Sequence, residues 1–525
     1  MTTYRGARRS VLGLSLAALL ALTACDKGPD REKVAAELKA GVEEQLKKAE
    51  GPAAQKVLSH TAVNVTPQDD NAYLVTIEGL KFQPSPEGHL EVGTISYVAK
   101  PKDDKGYDVS NLTLPQTMPF KGPDGKDKGK LTLTTKSFSG VYSKALTTFQ
   151  QMDAEFADIS ATDDRGADVA LGNAKFTMTV TDKGGGVADA IVKSTLTGLT
   201  AKEDAGGVFS IAEAQIDGKY DSWKLAEYQA AALKYQELIL KQAAVLEQGA
   251  SGQPAPAPSV SGQAAPDQPA SAQPAALTAE EQKALADAIS TMAASIKGGD
   301  FKIGLKGLKF ADAGEEPFSM GGLTLQTAID GINQEKATFN FDIAHQDLVV
   351  KSPDVASPVT QASLPKSGNL SIKVSEIPSK DMVKVLTDNV PGMSSGDPSM
   401  AQANAMAMLV ALQAVILSSG AKIEIAPSQL LSQLVEIKAD GAFNVQPQAA
   451  YGIVGGLNVA IRGVDDLLAL AQQTPDDFDA QQAMGSIQML QTYSAREQGA
   501  DGKPVDKFKI EVNQAGQMTV NGKPM

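Results

Sequence analysis

Residues 176–192 read FTMTVTDKGGGVADAIV, and their reading decides the fold class. Phe176, Met178 and Val180 alternate with threonines, which places the apolar side chains on one face of a strand and the hydroxyls on the other. Gly184-Gly185-Gly186 interrupts the alternation, and Ala190, Val192 and Leu196 resume it. A glycine run between two alternating segments marks a reversal of direction. One apolar and one polar face is the pattern of an antiparallel sheet covered on one side.

The same signal spreads outward. Upstream, Tyr73, Val75 and Ile77 alternate with Leu74, Thr76 and Glu78, and Leu131 and Leu133 alternate with threonines. Turn residues stand at Asp104-Lys105-Gly106, Asp124-Gly125 and Asp164-Arg165-Gly166, so the region reads as a series of short strands. Downstream, Phe301, Ile303 and Leu305 alternate, as do Phe339, Phe341 and Ile343. Leu370, Ile372, Val374 and Ile377 recur as Leu457, Val459, Ile461 and Val464, and Gly79-Leu80-Lys81-Phe82 recurs as Gly307-Leu308-Lys309-Phe310. These matches suggest duplicated sheet-plus-helix units, with helices expected around Met382–Leu386 and Leu467–Leu470.

Helices separate the β regions. Val34, Leu38, Val42 and Leu46 recur every four residues after Asp30 and stop near Gly51-Pro52. A long helix is expected from Ser222, with Leu225, Tyr228, Ala232, Tyr235, Ile239 and Leu246 on one stripe. Another begins at Thr278, which forms a capping box with Glu281, and carries Leu285, Ile289, Met292 and Ile296. Residues 248–276 between them are rich in Pro, Ala, Ser, Gln and Gly, a composition expected to be disordered. The stretch Ala405–Leu417 is apolar almost all round. At this length it is expected to be a buried core helix. The sharper reading has Met406, Leu409, Val410 and Ile416 lining an apolar groove, with nearby methionines keeping the surface adaptable.

The fold class expected is mainly β (α+β): long antiparallel, partly repeated sheets with packed helices, as two lobes or one elongated body. The expected divisions are 1–24, an export segment; 25–221, a helix plus a β lobe; 222–297, two helices flanking the 248–276 linker; and 298–525, a second β lobe with helices.

The first 24 residues are set apart from folding. Arg5, Arg8 and Arg9 precede the apolar run Val11–Ala21, and Leu22-Thr23-Ala24-Cys25 closes it. That closing tetrad resembles the lipobox of bacterial lipoproteins. The resemblance implies that Cys25 receives a thioether-linked diacylglycerol and, once exposed by cleavage, an N-acyl chain, which together anchor a protein stably. An ordinary signal peptide with a chance cysteine is the alternative. Ala7-Arg8-Arg9-Ser10-Val11-Leu12 also looks like a loose twin-arginine signal. Asp26 favours the inner membrane by the enteric sorting rule, so the expected place is the periplasmic side of the cell envelope.

Composition narrows the function. The chain of 525 residues has a formal charge of −14, and the three arginines of the export segment are part of that balance. Such a charge opposes binding to nucleic acid, so no nucleic-acid partner is expected. Cys25 is the only cysteine. Its lipidation would leave no thiol for disulfides, metal or nucleophilic chemistry. His60, His89 and His345 have no metal-ligand spacing, and the acidic pairs at turns do not follow a calcium-loop pattern. No phosphate loop or dinucleotide fingerprint is present, so no catalytic residue, metal or cofactor is expected.

The helix after the anchor leads into Ala72-Tyr73-Leu74-Val75-Thr76-Ile77-Glu78-Gly79-Leu80-Lys81, and the chain closes with Phe508-Lys509-Ile510-Glu511-Val512, Gly516, Met518, Val520 and Asn521-Gly522-Lys523-Pro524. Together with Gly456-Leu457-Asn458-Val459-Ala460-Ile461, this order resembles an uncharacterised exported β-rich envelope family of Gram-negative bacteria, a domain of unknown function. It is more distantly similar to the YdgA-like and AsmA-like envelope proteins. The Pro/Ala-rich segment departs from that pattern. The resemblance implies an envelope location and supplies no catalytic residues. The expected function is a non-enzymatic, lipid-anchored envelope protein, either a scaffold or an apolar-groove lipid binder. The alternative is a partner-binding module of an envelope assembly. Its partners would then be the membrane, through Cys25, and a lipid ligand or an envelope protein.

Overall fold

The structure is a computed structural model that describes residues 31–50, 57–85, 88–103, 106–164, 168–203, 206–250, 277–312, 315–352, 355, 357–393 and 398–525. Segment 1–24, Cys25, Asp26 and residues 251–276 of the linker lie outside the described residues.

Helix α1 (Arg31–Ala49) precedes a sheet whose neighbours are all antiparallel. Strands β1 (Leu58–Ser59) and β2 (Ala62–Pro67) both pair with β3 (Tyr73–Ser85), which pairs with β4 (Gly88–Asp103). Strands β5 (Gly106–Thr113) and β6 (Thr117–Lys121) lie end to end between β4 and β7 (Asp127–Ser143). A plain meander follows through β8 (Thr148–Asp163), β9 (Asp168–Gly184), β10 (Val187–Lys202) and β11 (Val208–Lys224). The glycine run at 184–186 is the β9–β10 turn.

Helices α2 (Leu225–Ala250) and α3 (Ala279–Ala294) come next, and then β12 (Gly298–Asp312) pairs directly with β11. The ladder therefore runs unbroken past the helices. Strand β11 also extends beyond Ser222, and the helix starts three residues later than its stripe suggested. The meander continues through β13 (Glu315–Asp330) and β14 (Ala337–Gln346), with the short β15 (Val349–Val350) beside β13. After α4 (Pro358–Ser363), β16 (Ser367–Ile377) pairs with β14. Helices α5 (Ser379–Met393) and α6 (Pro398–Ser419) lead to β17 (Lys422–Leu431), β18 (Glu436–Val445) and β19 (Ile453–Arg462). Helices α7 (Val464–Gln473) and α8 (Phe478–Tyr493) precede β20 (Ala495–Gln498) and β21 (Pro504–Val512), which closes on β19; β22 (Met518–Val520) and β23 (Lys523–Pro524) finish the sheet.

This connectivity gives the sheet two rims. Tyr73, Ser143, Lys224, Asp330, Ile377, Val445 and Val512 end or begin strands on the first rim. The α2–α3 and α5–α6 pairs leave and re-enter the sheet there, while α4, α7 and α8 stand on the second rim. The helices pack largely on one another. Leu238, Leu277, Leu285 and Val390 form one cluster, and Val359, Ala471 and Ala480 form another. The capping box opens α3: the Glu281 amide donates to Thr278 Oγ1 at 3.3 Å and the Thr278 amide to Glu281 Oε2 at 2.9 Å.

Several strands reach 15–17 residues, far longer than the short strands expected. Left-handed residues inside several strands reset the alternation. Gly79, Asn111, Asp158, Gly198, Gly307 and Glu376 all have φ between +53° and +69°, and each is followed at once by Leu or Ile. Such a bulge inserts one residue, so the alternation slips and the next apolar side chain returns to the same face. Leu305 and Leu308, on either side of Gly307, thus join one cluster with Ile211 and Ala214.

Candidate functional site

The register defines one apolar face across nearly the whole sheet. A single row of cross-strand partners runs Tyr73, Ala99, Val109, Gly140, Met152, Met178, Val192, Gly218, Phe301, Thr327, Phe341, Ile372, Ile425, Gly441, Leu457, Ile510, Val520. Thr327 is its only polar side chain. Directly opposite residues project from the same side of a sheet, so the row is a stripe on one face. One position along, the other face reads Lys193, Asp217, Lys302, Gln326, Asp342, Ser371. The sheet is amphipathic along its width.

The two ends of this face differ in what covers them. Over β2–β8 it is closed by α1, whose Leu38, Val42 and Leu46 interlock with Val63, Tyr73, Val75, Ile77, Ile95 and Tyr97. Helix α1 crosses from rim to rim: the Arg31 guanidinium donates to the Gln68 carbonyl at the first rim, and Val57, hydrogen-bonded to the Glu50 carbonyl, meets Gln83 at the second. Burial under α1 pushes the Tyr107 hydroxyl up to about 12, with Glu37 adding to the effect, and raises Tyr97 still further.

Strand β9 still belongs to the covered part, because Phe176 and Met178 pack against that core and Val180 against Leu146 and Leu225. From β10 to β19 most of the face has no such cover among the described residues. Val192, Leu325, Ile343, Ile372, Ile425 and Leu457 are half-buried, and Phe301 and Leu370 are 40% and 38% exposed. Nine neighbouring strands take part, roughly 40 Å at strand spacing. Monomeric soluble proteins rarely leave a contiguous apolar patch beyond a few hundred Å² in water without a use for it.

The residues singled out from sequence fall beside this face. Met406, Leu409, Val410 and Ile416 are on α6, at the first rim, and are 58%, 55%, 62% and 36% exposed. The expectation of a buried core helix over Ala405–Leu417 is therefore overturned. Helix α6 packs against α5, where Asn404 Nδ2 donates to the Gly392 carbonyl at 2.8 Å, and touches β16 and β18, but its Met406–Ile416 stripe faces outward. Uniform apolarity fixes a preference for a non-aqueous neighbour without saying that the neighbour belongs to the same chain. Cys25 lies outside the described residues.

The histidines stand apart from any acid–base constellation. His60 Nδ1 is 3.7 Å from Glu50, His89 Nε2 is 3.6 Å from Glu91, and His345 Nε2 is 3.2 Å from the Pro365 carbonyl. No group of three potential metal ligands occurs among the described residues. Gly392-Met393-Ser394-Ser395-Gly396 formally matches the Gly-x-Ser-x-Gly of a nucleophile elbow. An elbow needs a strand before its serine, and here Gly392 lies in the last turn of α5. On the polar face a shallow depression of about 540 Å³ is lined by Glu424, Asp440, Asn458, Lys509 and Glu511. Its polar groups largely satisfy one another: Asn458 donates to Asp440 at 3.0 Å and Lys509 pairs with Glu511 at 2.7 Å. The open apolar face remains the feature with unmet demand.

No helix among the described residues is long and apolar enough to cross a membrane. Comparison with known protein families finds no matching family model, and neither curated proteins nor solved structures give a significant match.

Proposed function

We propose that the protein is a non-enzymatic, lipid-anchored component of the cell envelope whose open sheet face binds acyl chains. The observation that carries this reading is the uncovered stripe from Val192 to Leu457. Its chemistry suits a hydrocarbon chain: branched and aromatic side chains in register, no charge, and Thr327 as the one polar side chain in the row. The covered part of the same face supports the reading from within. There the apolar stripe of an amphipathic helix fills the space, so the face is of a kind that takes an apolar occupant. The lipobox resemblance at Cys25 and the resemblance of residues 30–525 to exported envelope proteins agree with it.

The test is native mass spectrometry and lipid extraction of protein purified from membranes in mild detergent. Phospholipid retained in stoichiometric amount is the expected result. Ile343→Asp and Leu325→Asp, on adjacent strands and facing one another across β13 and β14, should remove most of it. A lipid-free protein that takes up no added phospholipid overturns the reading.

A further inference from the structure

The first rim carries two features whose coincidence decides how the molecule meets a membrane. One is the entry of α1, fixed by Arg31 against Gln68 in the β2–β3 connection. Only residues 26–30 separate Arg31 from Cys25. Six residue steps span at most roughly 20 Å, so a lipid on Cys25 holds this rim close to the bilayer. The other is α6. Over its 22 residues it carries no charged side chain, in a chain with a net charge of −14. Its outward stripe is Met406, Leu409, Val410 and Ile416. Beside its C-terminal end, where Leu417 approaches Gly452, Tyr451 stands 64% exposed in the β18–β19 turn. An uncharged apolar stripe flanked by an exposed tyrosine matches the hydrocarbon–headgroup boundary, where aromatic rings settle.

We propose that the first rim is the membrane-facing rim and that α6 beds its Met406–Ile416 stripe in the lipid bilayer, so that the open face meets the membrane end-on. This rests on the anchored, acyl-binding reading above and adds to it the partner of α6. The bilayer is favoured over a protein partner because the anchor delivers it to this rim, and because the stripe offers no charge or hydrogen-bonding group except Gln413 for a protein to recognise. The α8 helix on the second rim also exposes apolar side chains, with Met489 63% exposed. It starts at the second rim, where Asp477 and Asp479 meet Ser357 and Thr360, and serves as the internal control.

The experiment uses the full lipidated protein in vesicles of phosphatidylethanolamine and phosphatidylglycerol. A thioether-linked Cys25 has no free thiol, so Val410→Cys and Met489→Cys each give one site for an environment-sensitive fluorophore. The expected result is a blue shift and strong quenching of the Val410 probe by nitroxide-labelled acyl chains, with the Met489 probe quenched several-fold less. Equal quenching at both sites, quenching only at Met489, or none at Val410 overturns the proposal. So does a Val410 blue shift that appears without vesicles and grows with protein concentration, which assigns the stripe to a second copy of the chain. The mass of the N-terminal peptide and the retained phospholipid, read on the same sample, judge the anchor and the acyl-binding reading separately.

Discussion

Ile77 on β3 stands directly opposite Ile95 on β4, and both are sealed from solvent at 0% and 1% exposure. Leu325 and Ile343 form the equivalent pair on β13 and β14 and remain half-exposed. The chemistry of the two pairs is the same, and α1 is the difference. That contrast separates the residues that hold the fold from those free to hold something else.

Leu38→Ala on α1 should therefore cost about 2–5 kcal/mol of stability, because it leaves a cavity among fully buried partners. Ile372→Ala on the open stripe should cost about 1 kcal/mol, since less of its surface is withdrawn from water. Denaturant unfolding followed by tryptophan fluorescence and circular dichroism measures both. Similar losses at the two sites would mean that the open stripe is covered in solution.

The tyrosines beneath α1 make the N-terminal strands sensitive to alkali. Tyr107 is pushed up to about 12 and Tyr97 beyond it, chiefly by burial. In the unfolded chain a tyrosine ionises near ~10. A raised folded-state value means full stability below that pH and progressive loss as the pH climbs toward the folded value. Melting temperature should fall from about pH 10 upward. Tyr97→Phe, which removes a buried hydroxyl without a hydrogen-bond partner, should blunt the fall. An unchanged alkaline profile in that variant would place the sensitivity elsewhere.

At the second rim, Ser357 Oγ donates to Asp477 Oδ2 at 2.5 Å and Thr360 Oγ1 to Asp479 Oδ2 at 2.7 Å. They tie α4 to the start of α8. The Ser357 hydrogen bond, helped by the backbone amides of Asp479 and Ala480, holds the Asp477 carboxyl below its ordinary range. A lowered value stabilises above the unfolded pKa and is lost as the pH falls through the folded one. Hydrogen exchange in residues 358–363 should accelerate in acid, and Ser357→Ala should produce the same acceleration at neutral pH. Unchanged exchange in that variant would show that the apolar contacts alone hold α4.

Gly307 has φ +61°, and a Cβ there would come within 2.9 Å of the Ala212 Cβ. Gly307→Ala should destabilise by about 1–2 kcal/mol from the left-handed backbone alone, with the contact adding to it. The shift in unfolding midpoint reads it directly. A neutral substitution would mean that the bulge relaxes and that Leu308 leaves its cluster.

The alternations at Tyr73–Ile77, Phe176–Val180 and Phe339–Ile343 marked strands correctly, because period two is a local property of the chain. Thr278 with Glu281 marked a helix start for the same reason. The long row from Tyr73 to Val520 could not be read in advance. Its register depends on where bulges reset the alternation, and Asn111, Asp158 and Glu376 adopt left-handed backbone with nothing local to announce it. The face itself was legible as a one-sided sheet; its division into a covered and an open part depends on where α1 docks. Helix α6 departs from the buried-core expectation because apolarity alone does not say that the covering neighbour belongs to the same chain. Met406, Leu409, Val410 and Ile416 lie on a rim helix beside the strand row.

Nearly all strands between β7 and β19 touch only their immediate predecessors and successors in the ladder. Such an architecture has an adjustable length. A hairpin inserted at any turn would lengthen the stripe by two strand spacings, ~10 Å, and leave distant contacts untouched, as in repeat proteins. The span of the open face is thus a property that insertion or loss of single hairpins can tune, two strands at a time, without a new fold.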